Sequence, residues 1–237
     1  MTKAERKGKE HGAKSLELRA ESKEEEALSC RPYALIIEWL RERLNPKLYR
    51  HSIATQELAA ELAEIYNVDR QKAVIAGLLH DCARGLSNEE LLSHAHRYHI
   101  PLDHVQLAQP VLLHAPVGAR LVQMELGITD NEILHAIAAH STGSKEMSRL
   151  DKVLYVADSS EPNRDYPGVQ HIRDLASSGD LDGALLKAME VKIRYVMGQK
   201  LMLHPLSMEA WNDILKGSRK KELPADLRGL CSADERG

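Results

Sequence analysis

Apolar positions recur at helical spacing from about Arg31 to Lys216, and no stretch carries the period-two alternation of a strand bounded by turns. Most of the periodic runs open on a start signal. Asn45-Pro46 supplies a cap and a first-turn proline for the segment YRHSIATQELAAELA. Asp69 caps RQKAVIAGLLHDCA, and Ser87-x-x-Glu90 and Thr129-x-x-Glu132 read as capping boxes for the segments that follow them. Asp180 opens a long amphipathic helix through Lys200, with Leu181, Leu185, Met189, Lys192 and Val196 on roughly one face. His204-Pro205 starts the last helix, SMEAWNDILK. The run VLYVA at 153–157 has the composition of a short strand but lies inside a longer helical pattern. The expected class is all-α, one helical bundle without internal repeats.

The two ends differ from this middle. Residues 1–30 mix Lys, Arg and Glu with few apolar positions and read as a solvated or frayed tail. The domain is expected over 31–216, with residues 217–237 as a polar C-terminal tail. A chain of 237 residues is long enough for one sizeable core. Its net charge of -3 gives no electrostatic reason to expect nucleic acid or a membrane surface as partner. No apolar run approaches the roughly 20 residues that span a bilayer, and the N-terminus lacks the apolar stretch of a secretory signal. Cys30, Cys82 and Cys231 are odd in number and far apart, which fits a reducing cytoplasm better than a disulfide framework.

With 12 histidines but no phenylalanine and only 2 tryptophans, the core must be aliphatic, and the histidines raise the question of ligation. In AGLLHDCARGL an apolar run ends in His80-Asp81, with Arg84 one turn on. Alone, such a pair reads as a helix cap or an ion pair. Other runs repeat the design. His140 follows EILHAIAA and Asp158 follows VLYVA, while His51 and His114 sit in helical segments of their own. A carboxylate at Asp158, after five largely apolar residues, is costly to bury without a partner, and a metal is such a partner. Imidazole and carboxylate suit Fe, Mn, Co or Zn. His135 falls off the face of His140; His94, His96, His99, His104, His171 and His204 read as surface or core histidines without a ligand role.

The ordered set His51, His80-Asp81, His114, His140 and Asp158 resembles the HD-domain metal-dependent phosphohydrolases. The blocks RHSIATQELAAELAE, AGLLHDCARGLSNEELL, LLHAPVGARL, ILHAIAAHSTG and LDKVLYVADSSEPNRDYPGV closely resemble the bacterial YqeK-type family of symmetrical dinucleoside tetraphosphate hydrolases, over about residues 32–215. The resemblance implies a single HD-domain bundle and two metal ions, with iron favoured. The ions would be held by His51, His80, Asp81, His114, His140 and Asp158, with Asp81 bridging and His80 and Asp81 at the catalytic centre. It further implies that diadenosine tetraphosphate is cleaved at its central P–O–P bond to two ADP, by in-line attack of a hydroxide bridging the ions. The partner is then a dinucleoside polyphosphate, and a helix such as 181–200 leaves a homodimer open.

Phosphoryl transfer asks for positioning and charge stabilisation rather than a side-chain nucleophile, so the cysteines need no catalytic role. Cations should supplement the metals. Arg84 is one candidate, where the family commonly has lysine; Arg164, in the loop SSEPNRDYPG, is another. Its structural alternative is a turn with an Arg164–Asp165 salt bridge. Thr142 and Gly143, after His140, are candidate substrate contacts, while Lys152 carries no assigned role. Ser159 stands where the family often has tyrosine. The alternative activities are another HD-superfamily nucleotide hydrolase, acting on guanosine tetraphosphate or a dNTP, and a non-catalytic nucleotide-binding HD module; filled ligand positions speak against the latter.

Overall fold

The computed structural model describes residues 33–222, and every regular element among them is helical. Residues 1–32 and 223–237, including Cys30 and Cys231 and most of both expected tails, lie outside the described residues. The chain divides into two units, Met1–Arg43 and Leu44–Gly237. Within the first, residues 33–43 are helical. The second holds α1 (Pro46–Ile65), α2 (Arg70–Leu79), α3 (Asn88–Arg97), the short α4 (His104–Ala108) and a 3-10 turn at Pro110–Leu113. There follow α5 (His114–Leu126), α6 (Asn131–Ala139), α7 (Arg149–Ser160), α8 (Val169–Ser177), α9 (Leu181–Gly198) and α10 (Pro205–Glu222). No described helix is long and apolar enough to cross a membrane.

The start signals act through the backbone. Asn45 accepts from the amides of Lys47 and Leu48 behind Pro46, Asp69 from those of Gln71 and Lys72, and Asp180 from that of Gly183. Ser87 and Glu90 form the reciprocal capping box expected of them. At α6 the cap is Asp130 rather than Thr129: the Asp130 carboxylate takes the amides of Glu132 and Ile133, and an ionised oxygen beside a helix N-terminus is the stronger acceptor. A further box, Ser148 with Asp151, opens α7. The last helix continues through Glu222, beyond the expected end at Lys216.

The core sits around α7. From Leu150 to Ser160 every residue of this helix except Lys152 is buried, and it packs against α1, α2, α6, α8 and α9. That is why VLYVA lacks an amphipathic rhythm: a helix enclosed on all sides is apolar all round. The closest pairing is α1 with α2. It depends on Gly77, where a Cβ would stand 2.8 Å from the Gln56 Cα and 3.2 Å from the Thr55 carbonyl oxygen. A residue without a side chain lets the two backbones approach, and so brings His51 on α1 next to the residues that follow α2.

Candidate metal centre

Three histidines are placed by one local device. Helix α2 stops at Leu79, so His80 is its C-terminal cap and Asp81 lies in the turn beyond. Helix α6 stops at Ala139, with His140 as cap, and His114 begins α5 after the 3-10 turn. Each imidazole folds back on the carbonyl three residues earlier. His80 Nδ1 lies 2.7 Å from the Gly77 oxygen and His140 Nδ1 2.7 Å from that of Ile137, and His114 Nδ1 contacts the Val111 oxygen. A carbonyl oxygen only accepts, so Nδ1 carries the proton in each ring and Nε2 presents a bare lone pair. His51 is fixed differently, by a carboxylate: its Nδ1 lies 3.2 Å from Glu161 Oε1.

The bare nitrogens converge. His51 Nε2 and His80 Nε2 are 3.1 Å apart, and so are His114 Nε2 and His140 Nε2. Two lone pairs at that separation repel unless a cation lies between or beside them. Asp81 stands between the pairs. Its Oδ1 is 3.3 Å from His114 Nε2 and 3.4 Å from His140 Nε2, while its Oδ2 is 3.9 Å from His51 Nε2 and 3.7 Å from His80 Nε2. Asp158 Oδ1 joins the first pair, 3.0 Å from His51 Nε2 and 3.6 Å from His80 Nε2. Donor atoms of His51, His80 and Asp158 lie within 4.8 Å of one another, as do those of His80, Asp81 and His140. Imidazoles with Nδ1 turned to an acceptor and Nε2 turned inward, combined with carboxylates, are a donor set that fits a divalent metal ion.

The electrostatics are those of a buried, crowded site. Burial alone would raise the Asp81 carboxyl, but the surrounding His80, His114 and His140 hold it well below the ordinary carboxylate range. Burial likewise opposes ionisation of Asp158, and His51, His80 and Lys192 overcome it. His140 is pushed down to about 4, first by burial and then by the neighbouring His80 and His114. Burial also disfavours the charged His80 ring, yet Asp81 and Asp158 raise it on balance. Both aspartates are thus anionic at neutral pH.

The loop after α7 folds back over this cluster. Arg164 Nη2 donates to Asp158 Oδ1 at 2.7 Å and lies 3.3 Å from His51 Nε2, while its Nε donates to the Asp158 carbonyl. The alternative of a turn pairing with Asp165 gives way to this one, because the chain reverses after Glu161 and carries Arg164 back to the end of α7. Glu161, buried, also accepts from the Asn163 amide and side chain at 2.6 and 2.9 Å. Arg173 donates to the carbonyls of Ser160, Glu161 and Arg164 and pins the loop to α8. From α9, Lys192 reaches within 4.0 Å of Asp158 Oδ2 and sits over the Tyr155 ring.

Two cavities adjoin the cluster. One, of about 430 Å³, is walled chiefly by Asp158, Tyr166, Pro167, Val191, Lys192 and Tyr195. The other, of about 600 Å³, is lined by Lys47, Arg50, Arg84 and Arg164 together with His51, Asp81, Glu161 and Asp165.

The structure therefore brings together all six expected ligands, His51, His80, Asp81, His114, His140 and Asp158, and sets Arg84 and Arg164 at the cavity beside them. It places Thr142 and Gly143 otherwise. The Thr142 hydroxyl donates to the Gly143 carbonyl, and Gly143, at φ +76, packs where a Cβ would stand 2.9 Å from that of Ala210; neither residue lines the two cavities. The remaining histidines stay outside the cluster: His135 pairs with Asp151, His94 stacks on Tyr98, and His204 Nε2 lies 2.8 Å from Asp103 Oδ2. Glu161 and Lys192 are the site residues the sequence reading missed. The available signals were an acidic residue one turn after Asp158 and a lysine on the otherwise apolar face of α9.

Comparison with known proteins agrees with this arrangement. Residues 48–163 match the HD domain family. The chain is 38% identical to the symmetrical bis(5'-nucleosyl)-tetraphosphatase of Bacillus subtilis (strain 168), over 82% of this chain and 98% of that protein. It is 34% identical to the protein of the same name from Halalkalibacterium halodurans, over 76% of this chain and 95% of that one. Among solved structures, an HD superfamily hydrolase from Clostridium acetobutylicum, described as involved in NAD metabolism, superposes with a TM-score of 0.75 at 37% identity. It covers 79% of this chain and 97% of its own.

Proposed function

Because the chain belongs to the HD-domain family of symmetrical bis(5'-nucleosyl)-tetraphosphatases, we propose that it hydrolyses diadenosine tetraphosphate in a metal-dependent reaction, breaking the central P–O–P linkage to release two ADP. The observation that carries this reading is the convergence of four bare Nε2 atoms and two anionic carboxylates on one spot. In our assignment His51, His80 and Asp158 would hold one ion and His114 and His140 a second, with Asp81 shared between them. Iron is the metal we favour, and Mn, Co or Zn suit the same donors.

Such ions, when bound, acidify water near neutral pH and neutralise the oxygens that make a polyphosphate a poor electrophile. The chain's own residues do the positioning. Backbone carbonyls at Gly77, Val111 and Ile137 and the carboxylate of Glu161 hold the four rings in the tautomer and orientation that leave Nε2 available. Arg164 and Lys192 flank Asp158 and offer positive charge to phosphate oxygens beside the cluster. Arg84, exposed at the 600 Å³ cavity, extends that charge outward. No nucleophilic side chain is needed, and Cys82 is buried with its thiol against the Gly118 carbonyl.

The test is a product assay. Diadenosine tetraphosphate is incubated with the protein and Fe, Mn or Co, and the products are resolved by chromatography. ADP as the sole nucleotide product supports the reading; AMP with ATP, or no turnover with any metal, contradicts it.

A further inference from the structure

Three of the assigned ligands stand at the C-terminal ends of helices that pack on one another. His80 closes α2, His140 closes α6, and Asp158 lies near the end of α7. The opposite ends of the same helices are tied by charged groups. Lys72, in the first turn of α2, lies 2.9 Å from Asp130, the cap of α6, and also pairs with Glu132. His135 Nδ1 on α6 lies 3.0 Å from Oδ2 of Asp151, in the first turn of α7, and the same oxygen takes the Ser148 amide at 2.7 Å. Asp151 is buried, and its other oxygen has no hydrogen-bond partner among the described residues. A carboxylate held inside the fold on so few contacts is costly, and His135 reaches it from a different helix. The apolar contacts between these helices do little to fix their register. Helix α2 buries Ala73, Ala76 and Gly77 before Leu78 and Leu79, and α6 buries Ala136 and Ala139 beside Ile133 and Ile137. Small side chains make smooth faces, and apolar burial is not directional, whereas a hydrogen bond is.

We propose that His135 and Asp151, helped by Lys72 with Asp130 and Glu132, are positioning residues. They set the axial register of α2, α6 and α7, and so the spacing of His80, His140 and Asp158. This rests on the metal-dependent reading of the cluster. The ties act over a distance: at about 1.5 Å of rise per residue they lie roughly 7–15 Å along the helix axes from the ligands. A helix hydrogen-bonded along its length moves as a rod, so an axial slip of α6 against α7 carries His140 past Asp158 by the same amount. Metal–ligand distances hold within about 0.2 Å, so a slip of even a fraction of a residue's rise spoils the donor set. The His135 tie is the stronger of the two, because its acceptor is buried. Lys72, Asp130 and Glu132 are all partly exposed, where solvent and salt screen them. His135, which is no ligand, thus has a reason to stand five residues before His140.

Anaerobic Co(II) titration of the full-length protein tests this, followed by calorimetry and by the visible absorption of the bound ion. His135→Ala should weaken Co(II) binding by about 2–30-fold, the range for residues that act on a site through packed elements. It should also change the absorption band, under conditions where circular dichroism shows a fully folded protein. His135→Gln, which can still donate to Asp151, should recover most of the affinity. Lys72→Met should act in the same direction by a smaller factor, and that factor should shrink as salt is raised. Arg194→Ala removes an exposed ion pair with Glu190 inside α9 and should leave both readouts native. A lower melting temperature for His135→Ala with native Co(II) affinity and spectrum would make the tie an element of stability alone and overturn the proposal. Native protein that takes up no Co(II) would overturn the metal reading as well, so the two failures are told apart.

Discussion

His114 and His140 meet Nε2 to Nε2 at 3.1 Å, each with its Nδ1 proton already given to the carbonyl three residues behind it. Nothing in either ring can hydrogen-bond across that gap while both are neutral. The same clash of acceptors recurs between His51 and His80, and Asp81 sets one oxygen against each pair. The protein holds four imidazoles in an arrangement that is unfavourable without a cation and favourable with one. This converts a run of sequence motifs into a physical claim about ligand binding.

Glu161 is predicted to govern the site through His51. Its Oε1 holds the His51 Nδ1 proton while Oε2 takes two hydrogen bonds from Asn163. Glu161→Gln keeps the shape but gives a weaker acceptor. Metal titration should show affinity falling by roughly 10–100-fold, as for other carboxylates behind metal-bound histidines, with the helical circular dichroism unchanged. Native affinity in the variant would reduce Glu161 to a loop anchor.

Gly77→Ala should destabilise the fold by about 1–3 kcal/mol, because the new methyl group meets main chain of α1 that has nowhere to move. For a domain of this size that is a fall of about 2–12 °C in Tm by calorimetry. An unchanged Tm would mean that α1 and α2 can separate at no cost, which the position of His51 against His80 argues against.

Asp103 is one source of pH-dependent stability away from the cluster. Burial opposes ionisation of Asp103, yet the backbone hydrogen bond involving Gln106, the His204 charge and the Val105 amide lower its carboxyl below the ordinary value of 3.8. A carboxyl depressed in the folded state adds stability above its unfolded value and loses it as pH falls through the folded one. Asp103→Asn retains a capping side chain but lacks the charge. The variant should melt below the native protein at pH 7, and the gap should close as pH falls below about 4. A gap independent of pH would assign the effect to the cap rather than the charge.

How much of this was legible along the chain differs from residue to residue. The helices were, because Asn45-Pro46, Asp69 and Ser87 act within a few residues of their own position. Thr129 was misread as a cap since Asp130, its neighbour, is a better acceptor and spacing alone does not rank them. His80, His140 and Asp158 stood out because each ends an apolar run, and such a run rarely ends on a buried polar group without reason. Glu161 did not, since its role exists only once the loop after α7 has reversed over α1. Arg164 was expected to meet phosphate and was found paired with Asp158, a contact between residues six apart that a helical or turn pattern does not encode. Lys192 lies far along the chain and reaches the site only through the packing of α9 on α7.

The central claim is that Asp81 joins two metal ions within one cluster. Electron paramagnetic resonance of protein loaded anaerobically with Mn(II) tests it most directly, since two ions sharing a carboxylate are magnetically coupled. The account predicts about two Mn per chain and an exchange-coupled spectrum, with Asp81→Asn losing the coupling and the turnover while keeping its helical content. A spectrum of isolated Mn(II) alone at every loading of the native protein would contradict it.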